Sequence, residues 1–198
     1  MKKVLQSVLM IGFLSLSVSA MSKDKDFSLS FGKAESESVT FEVSNAKNVS
    51  VTIFSENDGE LLSEDLNSDK SVAKSYNFKD LESGIYYLIV ESESKIEKYK
   101  INVDTSKKVI IDKTPVAEIV KPEFSLDGNK AKLHFSGLKN SVKITVSDFS
   151  NTVYYNSNKS ATNGELDITF DLNPNTADNY IISVEQAGKV FNKVINLR

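Results

Sequence analysis

The chain predicts an all-β protein made of two tandem immunoglobulin-like antiparallel β-sandwiches behind a short export leader. Three observations carry that expectation. Apolar and polar residues alternate at period two along most of the chain, and no helical periodicity follows the first 20 residues. Turn signals such as Asn57-Asp58-Gly59, Asp127-Gly128-Asn129 and Asn163-Gly164 interrupt the alternation at short intervals. The pattern is also written twice. Asn48-Val49-Ser50-Val51-Thr52-Ile53 recurs 93 residues on as Ser141-Val142-Lys143-Ile144-Thr145-Val146. Tyr86, Val90-Glu91, Lys95, Ile101 and Asn102 recur 94 residues on as Tyr180, Val184-Glu185, Lys189, Ile195 and Asn196. A period this long is too large for a solenoid and suits a duplicated small domain.

Residues 1–20 read as a secretory signal peptide. Lys2 and Lys3 form the charged start, Val4 to Val18 carries no charge, and Val18-Ser19-Ala20 supplies the small-residue cleavage pattern. The apolar run is short for a bilayer span, so the expectation is an exported protein without a stable membrane span. Residues 21–26 read as a frayed polar end. The first sandwich is then expected over 21–108 and the second over 109–198.

Within the first copy, Phe41 and Val43 alternate with Thr40 and Glu42, and Val49, Val51 and Ile53 alternate with Ser50 and Thr52. Such strands bury one face and wet the other. Asn57, Asp58 and Gly59 then mark a hairpin, and the Asp-Gly pair predicts a type I′ turn. In Leu81-Glu82-Ser83-Gly84-Ile85-Tyr86, a leucine, a turn and a tyrosine opening a strand spell a tyrosine corner, whose hydroxyl bonds back to upstream backbone. Leu172 to Tyr180 repeats the corner with a longer turn containing Pro174. Between the copies, Pro115 and Pro122 mark a stiff, extended boundary near residues 105–115. In the second copy Leu133 and Phe135 flank His134, while Val142, Ile144 and Val146 alternate with Lys143, Thr145 and Ser147.

Composition restricts the chemistry. Losing Lys2 and Lys3 with the leader takes the basic residues from 24 to 22 against 27 acidic ones, a net charge of −5. The lysines are interleaved with Asp and Glu, so nucleic acid is not an expected partner. There is no cysteine. Disulfides, cysteine nucleophiles, Cys-type zinc sites and a lipid-attached cysteine are therefore excluded, and each domain must be stable from its own core. His134, the only histidine, is expected on a wet strand face, since both its neighbours are apolar. The acids around Asn57-Asp58-Gly59 fail the EF-hand template, because Phe54 stands where the first oxygen ligand belongs. No pair of carboxylates is singled out for glycoside hydrolysis. The expectation is no catalytic residue, no cofactor and no metal.

The end of the chain carries Asn179-Tyr180, Val184, Gly188 and then Lys193-Val194-Ile195-Asn196-Leu197-Arg198. This pattern resembles the C-terminal (type A) sorting domain of the type IX secretion system. The resemblance implies a small immunoglobulin-like sandwich that serves as an export signal, with Tyr180, Val184, Gly188 and Lys193 as sorting-motif positions. The first copy matches the earlier elements of that family better, through Asn57-Asp58-Gly59 and the Leu81–Tyr86 corner. The second copy matches the terminal strand and the position in the chain. Two departures stand out: Asp178 where the family prefers glycine, and Ser150-Asn151 in place of Asn-Gly.

The functional expectation is a secreted, non-catalytic tandem sandwich, periplasmic, surface-bound or extracellular, that acts by contact with a protein or a cell-envelope polymer. The alternative makes the second domain a sorting signal that exports the first, with export machinery as partner. An inhibitor or helper of a secreted enzyme is a further reading.

Overall fold

The computed structural model describes residues 7–9, 26–32, 37–68 and 70–197. The expected leader therefore lies outside the described residues except for Ser7–Leu9. Among the described residues there is no helix, and none long and apolar enough to cross a membrane. The chain forms two compact units, Met1–Glu118 and Ile119–Arg198.

The first unit contains β1 (Ser7–Leu9), β2 (Ser28–Phe31), β3 (Ser38–Ser44), β4 (Val49–Ser55), β5 (Gly59–Leu66), β6 (Val72–Asn77), β7 (Gly84–Glu91), β8 (Lys95–Val103) and β9 (Val109–Ile111). β10 (Ala117–Val120) begins in it. One sheet has the order β1-β6-β3-β2. The other runs β10-β8-β7-β4-β5, with β9 also on β8. The alternation is realised as expected: Val39, Phe41 and Val43 point inward from β3, and Val49, Val51 and Ile53 from β4. Period-two burial fixes the register, because a slip of one residue would turn every one of these side chains to solvent.

Two expectations change here. The hairpin joining β4 to β5 is not type I′, which needs positive φ at both central residues. Only Gly59 is left-handed (φ 79), and the register shifts between Ile53 and Phe54. The turn is therefore a longer loop closed by a glycine bulge, and the Ser55 hydroxyl accepts the N–H groups of Asn57 and Asp58 at 3.2 Å each. The domain boundary also moves from 108/109 to 118/119. Val109, Ile110 and Ile111 pair with Val103, Asn102 and Ile101 of β8, so this segment extends the first sandwich's sheet. Pro115 sits between two strands on one edge, a place where a missing N–H costs no ladder bond.

The second unit contains β11 (Glu123–Asp127), β12 (Lys130–Ser136), β13 (Val142–Ser147), β14 (Val153–Lys159), β15 (Glu165–Asp171), β16 (Asn179–Gln186) and β17 (Lys189–Asn196). They form a three-stranded sheet β11-β12-β15 and a four-stranded sheet β14-β13-β16-β17. Two of its turns are tighter than the β4–β5 loop. Asn163 and Gly164 (φ 54 and 85), and Ala187 and Gly188 (φ 48 and 78), have the paired positive φ of type I′ turns.

Each unit has its own core. Phe41, Ile53, Tyr76, Phe78, Leu88 and Ile101 anchor the first, and Leu133, Phe135, Ile144, Ile182 and Val184 the second. Large-to-small changes at such sites cost about 2–5 kcal/mol. Ile53→Ala should therefore lower the melting transition of the first unit and Ile144→Ala that of the second. Calorimetry of the intact protein should resolve two transitions, each variant shifting only one; a single shared shift in both variants would contradict separate cores.

Candidate functional site

The tyrosine corners hold both sandwiches by the same bond. In the first unit the Tyr86 hydroxyl donates to the Glu82 carbonyl at 2.7 Å, and its ring meets Phe78 edge-on with centroids 5.7 Å apart. Burial and the nearby charges of Asp58 and Glu82 raise its pKa above the ordinary phenol value. In the second unit the Tyr180 hydroxyl donates to the Asn173 carbonyl at 2.9 Å. That carbonyl also accepts the Thr176 N–H at 3.0 Å, so one oxygen ties the long turn to the strand. Leu81 and Leu172 are buried beneath the two turns. Gly84 has no left-handed φ, and a Cβ there would meet only ordinary contacts at 3.9 and 4.0 Å. The corner thus has no steric need of glycine, which explains why Asp178 is tolerated at the equivalent place.

The sorting-motif positions scatter in depth. Tyr180 and Val184 lie in the core, Gly188 (φ 78) makes the β16–β17 turn, and Lys193 is exposed on β17. They share a strand pair, not a pocket. The hairpin residues Asn57, Asp58 and Gly59 sit at one end of the first sandwich, where the side chains of Asn57 and Asp58 face solvent.

Sequence reasoning missed two polar networks inside the first unit. Glu64 on β5 accepts from Lys74 Nζ at 2.6 Å and from the hydroxyl of the fully buried Tyr76, both on β6. Glu97 on β8 accepts from Lys95 Nζ at 2.7 Å and from the Tyr99 hydroxyl at 2.5 Å. Burial foremost, then the hydrogen bond to glutamate, pushes both phenols well above their ordinary value. The one sequence signal for the first is the Lys-x-Tyr pair Lys74–Tyr76 on an inward-reading strand; nothing marks Glu64 as inward.

His134 does lie on the outer face, with Leu133 and Phe135 buried on either side of it. Its Nδ1 is 2.9 Å from Asp167 Oδ1 and its Nε2 is 3.6 Å from Glu165 Oε2. Glu123 stands directly across from it on β11. Lys130 is flanked the same way by Asp127 and Asp171. A basic central strand between two acidic edge strands is a cross-strand charge ladder, worth tenths of a kcal/mol per pair (about 0.2–1). Among the described residues no cluster of three or more His, Cys, Asp or Glu could hold a metal ion.

The face of the four-stranded sheet turned away from the core carries the exposed valines Val153, Val190 and Val194. Val153, Ser147, Ile181 and Val194 line up across β14, β13, β16 and β17 by register. Val153 and Val194 are 56% and 46% exposed. Phe149, more exposed still, caps the adjacent hairpin. There the Asp148 carboxylate accepts from the Tyr154 hydroxyl at 2.8 Å and from the N–H groups of Thr152 and Ser150. Those bonds lower its pKa.

Comparison with known proteins places a family on part of this fold. Residues 35–112 match the family of secretion system C-terminal sorting domains. The match falls on the first sandwich and not on the second, where the terminal pattern had located the resemblance. The first sandwich is the one carrying both the Asn57-Asp58-Gly59 hairpin and the Leu81–Tyr86 corner. A solved structure described as "Biofilm associated protein - BSP domain" is similar at 17% identity and a TM-score of 0.27. The similarity covers 84% of this chain and 29% of that one, so this chain spans under a third of its length. No curated protein matches.

Two predictions follow from the buried hydroxyls. Tyr86→Phe and Tyr180→Phe each remove a corner bond while keeping the ring, and each should destabilise its unit by about 1 kcal/mol in denaturant titration. For Tyr76 and Tyr99 the folded pKa lies above the unfolded one. Above about pH 10 the unfolded chain therefore binds fewer protons than the folded one, and stability falls as pH rises. The melting temperature of the first unit should be level from pH 8 to 9.5 and drop beyond it, and Tyr76→Phe should shrink that drop.

Proposed function

We propose that this protein is cargo of a secretion system that recognises sorting-type sandwiches, and that it acts without catalysis by surface contact outside the cell or on its surface. The observation that carries the export reading is the sorting-domain match over residues 35–112. The leader-like start of the chain supports entry into the first export step. The surface-contact reading rests on the exposed apolar row Val153–Ile181–Val194 and on charge ladders that tie His134 and Lys130 to neighbouring strands. Its partner class is a protein or a cell-envelope polymer, and the export machinery is a partner in transit.

The two copies divide the roles differently from the terminal-signal reading. The better sorting sequence is in the first sandwich, and the second is its divergent duplicate. The test is a reporter carrying the leader and fused to residues 26–118 or to residues 119–198, expressed in a host with the secretion system. The reporter joined to 26–118 should reach the surface or medium. Retention of both fusions in the periplasm would overturn the export reading, and export of only the 119–198 fusion would move the signal to the second sandwich.

A further inference from the structure

The duplicated strands β8 and β17 differ in how their outer edges are treated. On β8 the edge is occupied: β9 pairs antiparallel with Ile101, Asn102 and Val103, and β10 also pairs with it. Asp112 and Val116 donate to the Lys100 and Lys98 carbonyls at 2.9 and 2.7 Å. At the 94-residue shift, the equivalents of Lys98 and Lys100 on β17 are Asn192 and Val194. β17 ends its sheet, and among the described residues no strand pairs with its outer edge. The covering strand and the outer-face lysines of the first sandwich thus have no counterpart among the described residues of the second, whose β17 keeps lysines only at 189 and 193, on its core-side face.

The face of β17 turned from the core carries Val190, Asn192 and Val194, with Val190 56% and Val194 46% exposed. This spacing is self-complementary. An antiparallel two-fold pairing centred on Asn192 sets Val190 opposite Val194 twice, Asn192 opposite Asn192, Phe191 opposite Lys193 and Lys189 opposite Ile195. Shifting the centre to Phe191 would place Lys189 against Lys193, and shifting it to Lys193 would place that lysine against itself. Like charges directly opposite are destabilising. The Asn192 centre is therefore the longest register with no lysine directly opposite another, pairing every residue from Lys189 to Ile195. We infer that β17 is a docking edge for β17 of a second copy of this chain, forming a two-fold dimer whose four-stranded sheets join into one eight-stranded sheet.

The test uses the purified intact protein, with molar mass followed by sedimentation across concentration. A monomer–dimer equilibrium is expected. Val190→Lys alone should weaken it at least tenfold, because the new lysine faces an apolar side chain and adds to the lysines already on the strand. Val190→Lys combined with Val194→Glu should restore it, since the two substituted positions face each other only across the two-fold. Both positions are exposed, and an unchanged circular dichroism spectrum checks that the fold is kept.

Asn192→Cys gives the second readout in a chain that has no cysteine. Directly opposed residues sit about 4.5–5.5 Å apart at Cα, within disulfide reach. Oxidation should link this variant into dimers, while Ser183→Cys, one strand inward on the same face, should link far more slowly. A monomer at every concentration would overturn the inference. So would a dimer unaffected by Val190→Lys, or Asn192→Cys linking no faster than Ser183→Cys.

Discussion

Two sheets packed face to face leave open sides where the edge of one lies over the edge of the other, and in a chain without cysteine only side chains can close them. The first sandwich closes both sides. Glu64 of β5 holds Lys74 and Tyr76 of β6 on one, while Phe31 of β2 meets Tyr99 of β8 edge-on at 5.0 Å on the other. The second closes one side with Tyr155 of β14 against Phe170 of β15, ring centroids 5.2 Å apart. Its other side, between β11 and β17, has Lys193 at the position equivalent to Tyr99, and the inward-registered Leu126 remains 47% exposed. A buried charged group gives little net stability once desolvation is counted. Its value in the first unit is register, because sliding β6 by one residue would turn Lys74 and Tyr76 away from Glu64 together.

The parts of this fold legible in sequence are those set by local alternation. Phe41 and Val43, Val49 to Ile53, and Val142 to Val146 each announce a half-buried strand, and the structure puts each there because no other arrangement hides that face. The closure of the sides was not legible, for a physical reason. Glu64 and Glu97 are charged residues in inward positions, which alternation alone does not anticipate: Lys74 and Tyr76 on β6 satisfy Glu64, and Lys95 and Tyr99, two residues away on β8 itself, satisfy Glu97. The run from Lys95 to Tyr99 even conflicts with itself, since Ile96 and Glu97 are both buried on opposite faces of β8. The hairpin after β4 misled in a different way: Asp58-Gly59 has the composition of a two-residue turn, but the Ser55 side chain organises a longer one. Pro115 likewise signalled a boundary where the chain was crossing between two short strands on the edge of β8.

The depth of the sorting-motif positions explains how a family pattern can fall on one copy while a terminal pattern points to the other. Tyr180 and Val184 are core residues, and Gly188 is a turn residue whose φ excludes most side chains. Their counterparts in the first unit, Tyr86 and Val90, are equally buried. A pattern built of such residues reports that the sandwich is present, and it does so from either copy. Recognition by a transport machine has to use what the sandwich shows outside, which means turns, strand edges and the outward rows. Those are the places where the two copies have drifted apart: Asn57-Asp58-Gly59 against Ser150-Asn151, and the lysines of β8 against the valine and asparagine of β17.

Duplication followed by this kind of drift separates two demands that conflict within one sandwich. A stable, monomeric module needs its edges covered or charged, whereas a module that binds through backbone hydrogen bonds needs an edge left open. The first copy satisfies the former demand with β9, β10, Lys98 and Lys100. The second keeps the same corner, the same alternation and the same strand order, but presents β17 with exposed valines on one face and two exposed lysines, Lys189 and Lys193, on the other. Those lysines restrict which strands can pair there, because a partner must bring something other than a cation to the places opposite them. An open edge with two built-in charges is a surface selective for a few registers, and β17 itself satisfies one of them.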